Sequence, residues 1–473
     1  MLGMDLFAGK KIFVYGLGKT GSTAAFALQQ AGANVLVWDD KPEESASVTQ
    51  EYRLQDPKTV DWSTVHILVK SPGIPLTAPG IAAAMKADVP VVSDVDLLAS
   101  RSPDANYICI TGTNGKSTAT ALVGHILENS GTLTATGGNL GTPSLSLPWL
   151  GDEGTYVLEL SSYQLETLSF LTPSVGVLLN LTPDHLERHG SIDKYLQAKL
   201  KLFAAMEDVG ANSGVKIMGI DQPILAKAAA KIKDQNIDLI TVSVTGLDAD
   251  ISVNSRGILF DTGKKILDLS AFYGLPGQHN WQNVACAWAA LRHQITAKQF
   301  AAGLKSFRPL PHRMERVCRT KTMTFINDSK ATNDEAAAFA LKSFDNIYWI
   351  CGGRPKAGRV LPNCLENLKN VRAAFVIGDA ETAFTETLSK VDLPVFTCGN
   401  LEKAVREAYA SALQEGLPRV HILLSPACAS FDQFASFEHR GDVFSSLARE
   451  IKMKHNETEH QETLINPDER GTA

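Results

Sequence analysis

A lysine set directly after a glycine turn and followed by two hydroxyls can hold the phosphates of a nucleotide. This chain carries that pattern once, at Gly112-Thr113-Asn114-Gly115-Lys116-Ser117-Thr118. Backbone N–H groups and the opening turn of a helix face the anion, the lysine neutralises charge, and a hydroxyl can hold Mg²⁺. The first glycine of the longer G-x-x-x-x-G-K-[ST] pattern would fall at Ile110, so the loop is a tighter Gly112-x-x-Gly115-Lys116-Ser117 form. Glu159 lies within the apolar run Tyr156-Val157-Leu158-Glu159-Leu160, where a carboxylate is costly without a cation. Mg²⁺ on a triphosphate would serve, as would a salt bridge to a buried lysine or arginine. His185, in Leu181-Thr182-Pro183-Asp184-His185-Leu186-Glu187-Arg188-His189, stands at a strand's end and could ligate metal or cap a surface helix. Lys199 falls on an amphipathic helical stretch, Ser191 to Met206.

A second glycine turn, Gly16-Leu17-Gly18-Lys19-Thr20-Gly21, follows the strand-like Lys11-Ile12-Phe13-Val14-Tyr15. A helix over Ser22 to Ala31 and a strand Asn34-Val35-Leu36-Val37-Trp38 come next, ending at Asp39-Asp40. This fits G-x-G-x-x-G with an acid about 20 residues on, which raises NAD. No second redox signal accompanies it, and such turns bind many nucleotides.

The elements that must position these groups alternate as strand, turn and helix. Tyr107-Ile108-Cys109-Ile110 leads into the phosphate loop, with helical spacing over Ala119 to Leu127 after it. Val65 to Val69 runs into Ser71-Pro72-Gly73; Val91 to Asp96 follows, and Ser100 to Asn106 reads as a linker. Thr136 to Pro143 reads as a glycine-rich loop and Ser174 to Asn180 as a strand, and within 207 to 275 alternating stretches such as Ile251 to Phe260 suggest a small antiparallel meander. Gly277-Gln278-His279-Asn280-Trp281-Gln282-Asn283 opens a helix whose amides could bond an adenine edge. Pro309 to Glu315 reads as a hinge, and Phe325 to Pro426 as a further α/β segment with strands at 325, 346, 373 and 420. The expected organisation is α/β in three domains, 1–104, 105–309 and 310–451, with a disordered tail over 452–473. The first and third domains are expected to be Rossmann-like and the central one a P-loop-type ATPase.

At 473 residues the length suits about three domains. A net charge of −6 argues against a general nucleic-acid binder. The seven cysteines are scattered with no CxxC, which suits reduced thiols in the cytoplasm better than disulfides or zinc. Neither a signal-like N-terminal run nor a membrane-length apolar stretch is present, so a cytoplasmic enzyme is expected.

Taken together, ITGTNGKST, LELSSYQLE, NLTPDHLERHG, the QAK around Lys199, GQHN, LPHRME, NDSKATN, CGGRPK and LLSPACASFDQF resemble the Mur ligases, in family order over residues 10 to 450. The resemblance implies an ATP-dependent ligase joining D-glutamate to UDP-N-acetylmuramoyl-L-alanine through an acyl phosphate, acting as a cytoplasmic monomer with ATP and two Mg²⁺. It implies UDP-substrate contacts at Leu17, Lys19, Thr20, Asp39, Asp40, Gly73 and Asn139. ATP would meet Gly112 to Thr118 together with Asn280, Asn283, Arg313 and Asp328. Metal would be held by Ser117, Glu159, His185 and a carbamylated Lys199, and D-glutamate by Lys330, Thr332, Lys356, Ser430, Phe431 and Phe437. Lys116, His185, Lys199 and Lys330 would carry catalysis, with closure about the hinge near Arg313. Arg354-Pro355 stands where the family commonly has an acid before Lys356, Gly219-Ile220-Asp221-Gln222 replaces its more usual Asn-x-Asp-Asp, and the Asp-Asn-Pro-Arg motif of the diaminopimelate- or lysine-adding relatives is absent. The alternatives are another Mur-type ligase, a folylpolyglutamate synthase-like enzyme, and an NAD-dependent oxidoreductase.

Overall fold

A computed structural model describes residues 5–41, 52–139, 141–206, 214–235, 237–272, 275, 277–355 and 361–465. The chain divides into two compact units, Met1–Phe307 and Arg308–Ala473. Among the described residues the first unit contains two sheets and the second one.

The first sheet has the spatial order Arg53–Leu54, Asn34–Trp38, Lys11–Tyr15, Ile67–Lys70, Val91–Val92, all parallel. Its near-continuous apolar strands are those of a sheet covered on both faces. Helix Lys19–Gln30 crosses between the first two strands in sequence. Gly21 makes that crossing possible: a Cβ there would stand 1.8 Å from the Gly16 carbonyl oxygen.

The second sheet runs Lys264–Asp268, Ile258–Asp261, Ile251–Val253, Leu239–Ser243, Val215–Gly219, Val175–Leu178, Asn106–Thr111, Thr155–Glu159, Thr134–Gly138. Pairing is parallel from Ile251–Val253 onward, so the expected antiparallel meander is confined to the last three strands in sequence. The stretch expected as a glycine loop is in part the edge strand Thr134–Gly138. Its glycines allow the approach, since a Cβ on Gly138 would lie 2.6 Å from the Glu159 carbonyl oxygen. Alternation divides the strand residues: Tyr107 and Cys109 enter one core, Ile108 and Ile110 another.

The first of these cores is continuous across both sheets, joining Ile12, Val14, Val37 and Val69 to Tyr107, Tyr156, Leu158 and Leu178. Helix Asp94–Arg101 fastens the junction, starting where Ser93 and Asp96 form a reciprocal cap and running into the stretch expected as a linker. Asp96 Oδ1 accepts the backbone N–H groups of Ser169 (2.9 Å), Phe170 (2.8 Å) and Leu171 (3.4 Å). Asp94, fully buried, accepts from Ser144 N and Gln164 Nε2, each at 3.3 Å.

In the second unit the order is Glu315–Arg319, Met323–Asn327, Val420–Leu424, Ile347–Gly352, Val371–Ile377, Val395–Gly399, with only the first pair antiparallel. Tyr348, Ile350 and Phe375 pack on one face, Trp349, Cys351 and Val376 on the other. The last helix runs Phe437–Ile465. The segment expected as an unstructured tail from Lys452 therefore continues this helix as far as Ile465, with Lys454 paired to Glu450 at 2.7 Å and the Tyr409 hydroxyl 2.8 Å from His455 Nδ1.

Candidate active site

Chemistry-bearing residues gather at the carboxyl ends of the parallel strands, the edge where open α/β sheets bind ligands. In the first sheet, Asp39 Oδ2 accepts the Leu17 N–H at 2.6 Å, tying the glycine turn to the end of the neighbouring strand. Asp40 Oδ1 accepts from the Tyr15 hydroxyl (2.8 Å) and Trp38 Nε1 (3.0 Å). Lys19 and Thr20 open the helix, and the Lys19 ammonium donates to the Gly141 carbonyl of the second sheet's edge loop. At Gly73 a Cβ would meet nothing within 4 Å, so the turn is open to the outside. Behind it lies Lys70, only 2% exposed, its ammonium 3.2 Å from the Ile74 carbonyl and 3.5 Å from that of Tyr163. Burial pushes Lys70 down to about 8, the charge of Glu166 opposing the shift and that of Arg188 adding to it.

The phosphate loop joins strand Asn106–Thr111 to helix Lys116–Asn129, and Gly115 caps the helix at φ +81°, a left-handed geometry that favours glycine. Asn180, beyond the end of the adjacent strand, brackets the loop: its Oδ1 accepts the Asn114 N–H at 2.9 Å and its Nδ2 donates to the Asn114 carbonyl at 3.1 Å. Thr113 Oγ1 donates to the Thr182 carbonyl (3.2 Å) and accepts the Thr182 N–H (3.1 Å). The Lys116 ammonium folds back on the Thr113 carbonyl at 2.8 Å. Lys116, Ser117 and Thr118 form the helix's first turn, so the positive end of its dipole coincides with the lysine.

Glu159 ends the neighbouring strand, 2% exposed, with Oε2 2.5 Å from the Ser117 hydroxyl and Oε1 accepting from Asn139 Nδ2 at 2.8 Å. Asn139 thus meets the carboxylate of the phosphate site. A carboxylate and a hydroxyl side by side at the mouth of a phosphate loop are hard oxygen donors, the set that suits Mg²⁺ with most of its waters retained. These residues fit that ion.

Lys199 is fully buried beneath the loop. Its ammonium donates to the Gly112 carbonyl (2.8 Å) and the Thr111 hydroxyl (3.3 Å) and stands 4.6 Å from the centre of the Tyr195 ring. Burial drives this amine well below its ordinary range, the positive charge of Lys116 adds to the effect, and Asp184 and Glu159 oppose it. His185, in a left-handed conformation at φ +54°, has Nδ1 2.9 Å from the Tyr163 hydroxyl and Nε2 3.5 Å from Asp184 Oδ2. Asn283 abuts the loop from helix Gln278–Leu291: a Cβ on Gly115 would stand 2.3 Å from Asn283 Oδ1, a buried oxygen without a hydrogen-bond partner among the described residues. Its Nδ2 donates to Asn280 Oδ1 at 3.3 Å. Asn280 and Asn283 therefore join the loop in the first unit, whereas Arg313 and Asp328 belong to the second.

In the second unit, Asp328 follows strand Met323–Asn327, accepting from the Ser425 hydroxyl (2.8 Å) and the Met314 N–H (3.1 Å). Burial pushes its carboxyl up to about 7, against those two hydrogen bonds and the charge of Arg313. The Lys330 ammonium sits 4.0 Å from the centre of the Phe437 ring, and the Thr332 N–H donates to the Lys330 carbonyl at 2.7 Å. Ser430 is buried on the facing loop, while Phe431 is 63% exposed. Lys356 lies outside the described residues.

Two of the buried cations missed from the sequence, Lys70 and Arg440, carried a signal. Lys70 ends an apolar strand, the anomaly that singled out Glu159. Arg440 shares a helical stripe with the buried Phe444, Ala448 and Ile451 and is itself 0% exposed.

Family models agree with this arrangement. The Mur ligase middle-domain model matches residues 110–291, and the Mur ligase MurD-like N-terminal-domain model matches residues 10–93. A UDP-N-acetylmuramoylalanine–D-glutamate ligase from Paramagnetospirillum magneticum is 42% identical over 457 residues, covering 95% of this chain and 98% of that one. The chain belongs to the Mur ligase family. A second Mur ligase, the UDP-N-acetylmuramoylalanine–D-glutamate ligase of Rhodospirillum rubrum, is 43% identical over 461 residues, covering 94% of this chain and 95% of its own. Among solved Mur ligases, MurF from Thermotoga maritima in complex with ADP has a TM-score of 0.59 at 16% identity, covering 95% of this chain and 98% of that one. UDP-N-acetylmuramate-alanine ligase MurC from the same organism has a TM-score of 0.58 at 17% identity, covering 93% and 99%. These two likenesses establish the Mur ligase fold.

Proposed function

We propose that this Mur ligase is an ATP-dependent enzyme that joins D-glutamate to UDP-N-acetylmuramoyl-L-alanine, a step in making peptidoglycan precursors. The observation that carries the reading is the phosphate loop with its partners: Lys116 at a helix N-terminus, Glu159 bound to Ser117, and Asn283 against Gly115. The specificity is supported by full-length relatives at 42% and 43% identity that carry this ligase name. ATP dependence is supported further by the ADP bound to a relative of the same fold.

In the proposed reaction an oxygen of the alanine carboxylate attacks the γ-phosphorus of ATP, ADP leaves, and an acyl phosphate forms. The amine nitrogen of D-glutamate then attacks the acyl carbon, and inorganic phosphate leaves as the peptide bond closes and the amine loses its proton. The chain's share is positioning and charge. Lys116, together with the N–H groups of the loop, steadies the phosphates. Ser117 and Glu159 would hold Mg²⁺, with His185 and a carbamylated Lys199 for a second ion; bound there, the metal neutralises phosphate charge. The unprotonated amine is the form that takes up CO₂, and burial of Lys199 favours that form. Leu17, Lys19, Thr20, Asp39, Asp40, Gly73 and Asn139 are assigned to the UDP-substrate, and Lys330, Thr332, Lys356, Ser430, Phe431 and Phe437 to the amino acid. Arg313 and Asp328 are assigned to the nucleotide. The reading sets the reaction in the cytoplasm, with a single chain carrying every set; among the described residues no helix is long and apolar enough to cross a membrane.

The test is phosphate release from ATP in the presence of UDP-N-acetylmuramoyl-L-alanine, each amino acid being offered separately. Release that requires D-glutamate is expected. Release with a different amino acid would retain the ligase and reassign its specificity, and no release with any would overturn the reading.

A further inference from the structure

Arg440 lies on the first turns of helix Phe437–Ile465, is 0% exposed, and donates hydrogen bonds to neutral oxygens on two other segments. Its Nε donates to the Ser329 hydroxyl at 3.0 Å and its Nη2 to the Ser329 carbonyl at 2.9 Å. The same Nη2 reaches the Cys428 carbonyl at 3.1 Å, and Nη1 the Ala429 carbonyl at 3.3 Å. The Ser329 hydroxyl passes the connection on, donating to the Phe437 carbonyl at 2.8 Å. One side chain thus grips the residue before Lys330, the two residues before Ser430, and, through Ser329, the backbone of Phe437.

A buried guanidinium without a carboxylate partner is expensive. A planar fork of five donors can nevertheless hold two backbone segments at once in a fixed plane, a geometry that an apolar residue cannot supply and an ammonium's three rotatable donors do not impose. Burial pushes Arg440 down to about 10, with Cys428 and Asp432 opposing the shift, so it stays charged at neutral pH. The packing leaves no slack around it: a Cβ on Gly353 would come within 3.0 Å of Nη1.

We propose that Arg440 is the positioning residue of the amino-acid site, holding the Lys330 turn, the Ser430 loop and the Phe437 ring in one register. The inference rests on the assignment of those three residues to the amino acid. With the register set, Lys330 stays against Phe437 and the loop of Ser430 keeps its place without any rearrangement when the amino acid arrives, and the cost of ordering is met in folding rather than in binding.

The experiment measures KM for D-glutamate, ATP and UDP-N-acetylmuramoyl-L-alanine, with kcat, in Arg440→Lys, Arg440→Gln and Ser329→Ala. Arg440→Lys keeps the charge and loses the fork. Both Arg440 variants are expected to raise KM for D-glutamate at least about tenfold, with the other two KM values within about twofold of the parent. Ser329→Ala removes one hydroxyl of the relay and should shift the same constant in the same direction, by about threefold. It keeps the proposal testable if the Arg440 variants do not fold. An unchanged KM for D-glutamate in folded variants would overturn the proposal, as would equal losses for all three substrates. Failure of the underlying assignment looks different, since the parent protein itself would then release no phosphate in response to D-glutamate.

Discussion

Among single residues, Lys116 and Asp328 allow the sharpest tests. Lys116→Ala removes the cation from the helix N-terminus and leaves the loop's backbone bracket to Asn180 in place. Phosphate release should fall about 10²–10³-fold while the thermal midpoint stays close to the parent's. Asp328 binds its proton more tightly folded, near 7, than unfolded, where the ordinary value is 3.8. The folded state therefore holds more protons between those values, and stability falls as pH rises from about 4 to about 7, on the order of 4 kcal/mol in all. In Asp328→Asn that slope should vanish; thermal melts across the interval check it, and parallel pH profiles in both proteins would contradict the assignment. What the sequence revealed at this scale followed charge placed against pattern. Glu159 was legible because a carboxylate interrupts an apolar strand. Lys70 breaks the same rule, but Ser71-Pro72-Gly73 follow it where the apolar Leu160 follows Glu159, so it reads as a boundary. Arg440 shows itself only by its place on the apolar stripe with Phe444, Ala448 and Ile451, because its acceptors are mostly backbone carbonyls, which leave no trace in residue type.

Elements were legible where periodicity was strong, as in the strands feeding the two glycine turns and the helices leaving them. The misread ones were decided by partners far along the chain. Thr134–Gly138 is polar and glycine-rich, yet pairs as an edge strand because Thr155–Glu159 lies beside it without side chains in the way. The end of the last helix carries no apolar stripe strong enough to announce itself, and its i,i+4 pair Glu450–Lys454 is solvent-exposed and adds little. The crossing of helix Lys19–Gln30 over its strand gives the prediction for this scale. Gly21→Ala would drive a methyl into the Gly16 carbonyl and should cost about 3 kcal/mol or more, read as a lowered urea midpoint. The UDP-substrate affinity should fall with it, since Leu17 and Lys19 ride on the same turn. An unfolding free energy within about 0.5 kcal/mol of the parent's would show that the helix can slide away.

At the scale of the whole molecule, the division after Phe307 is the one the packing respects. The second unit closes its own two cores, one on each face of its sheet. The first two sheets share a core, and Asp94 and Asp96 are spent on the junction between them. A fragment of residues 308–473 should express as a folded domain with a cooperative melt. Fragments cut between residues 104 and 105 should not, because each would expose half of the shared core. Proteolysis that yields a stable 1–104 piece would contradict this and show that the first two sheets fold independently of each other.

That junction also bears on genetics. The Asp96 carboxylate holds the backbone of residues 169–171 with one oxygen and the start of its own helix with the other. A lesion there touches no proposed ligand, yet should loosen the glycine turn proposed for the UDP-substrate and the phosphate loop together. Alleles at Asp96 should therefore behave as heat-sensitive ones: normal at low temperature, then losing both affinities over the same few degrees, with tight-binding substrate able to rescue them in part.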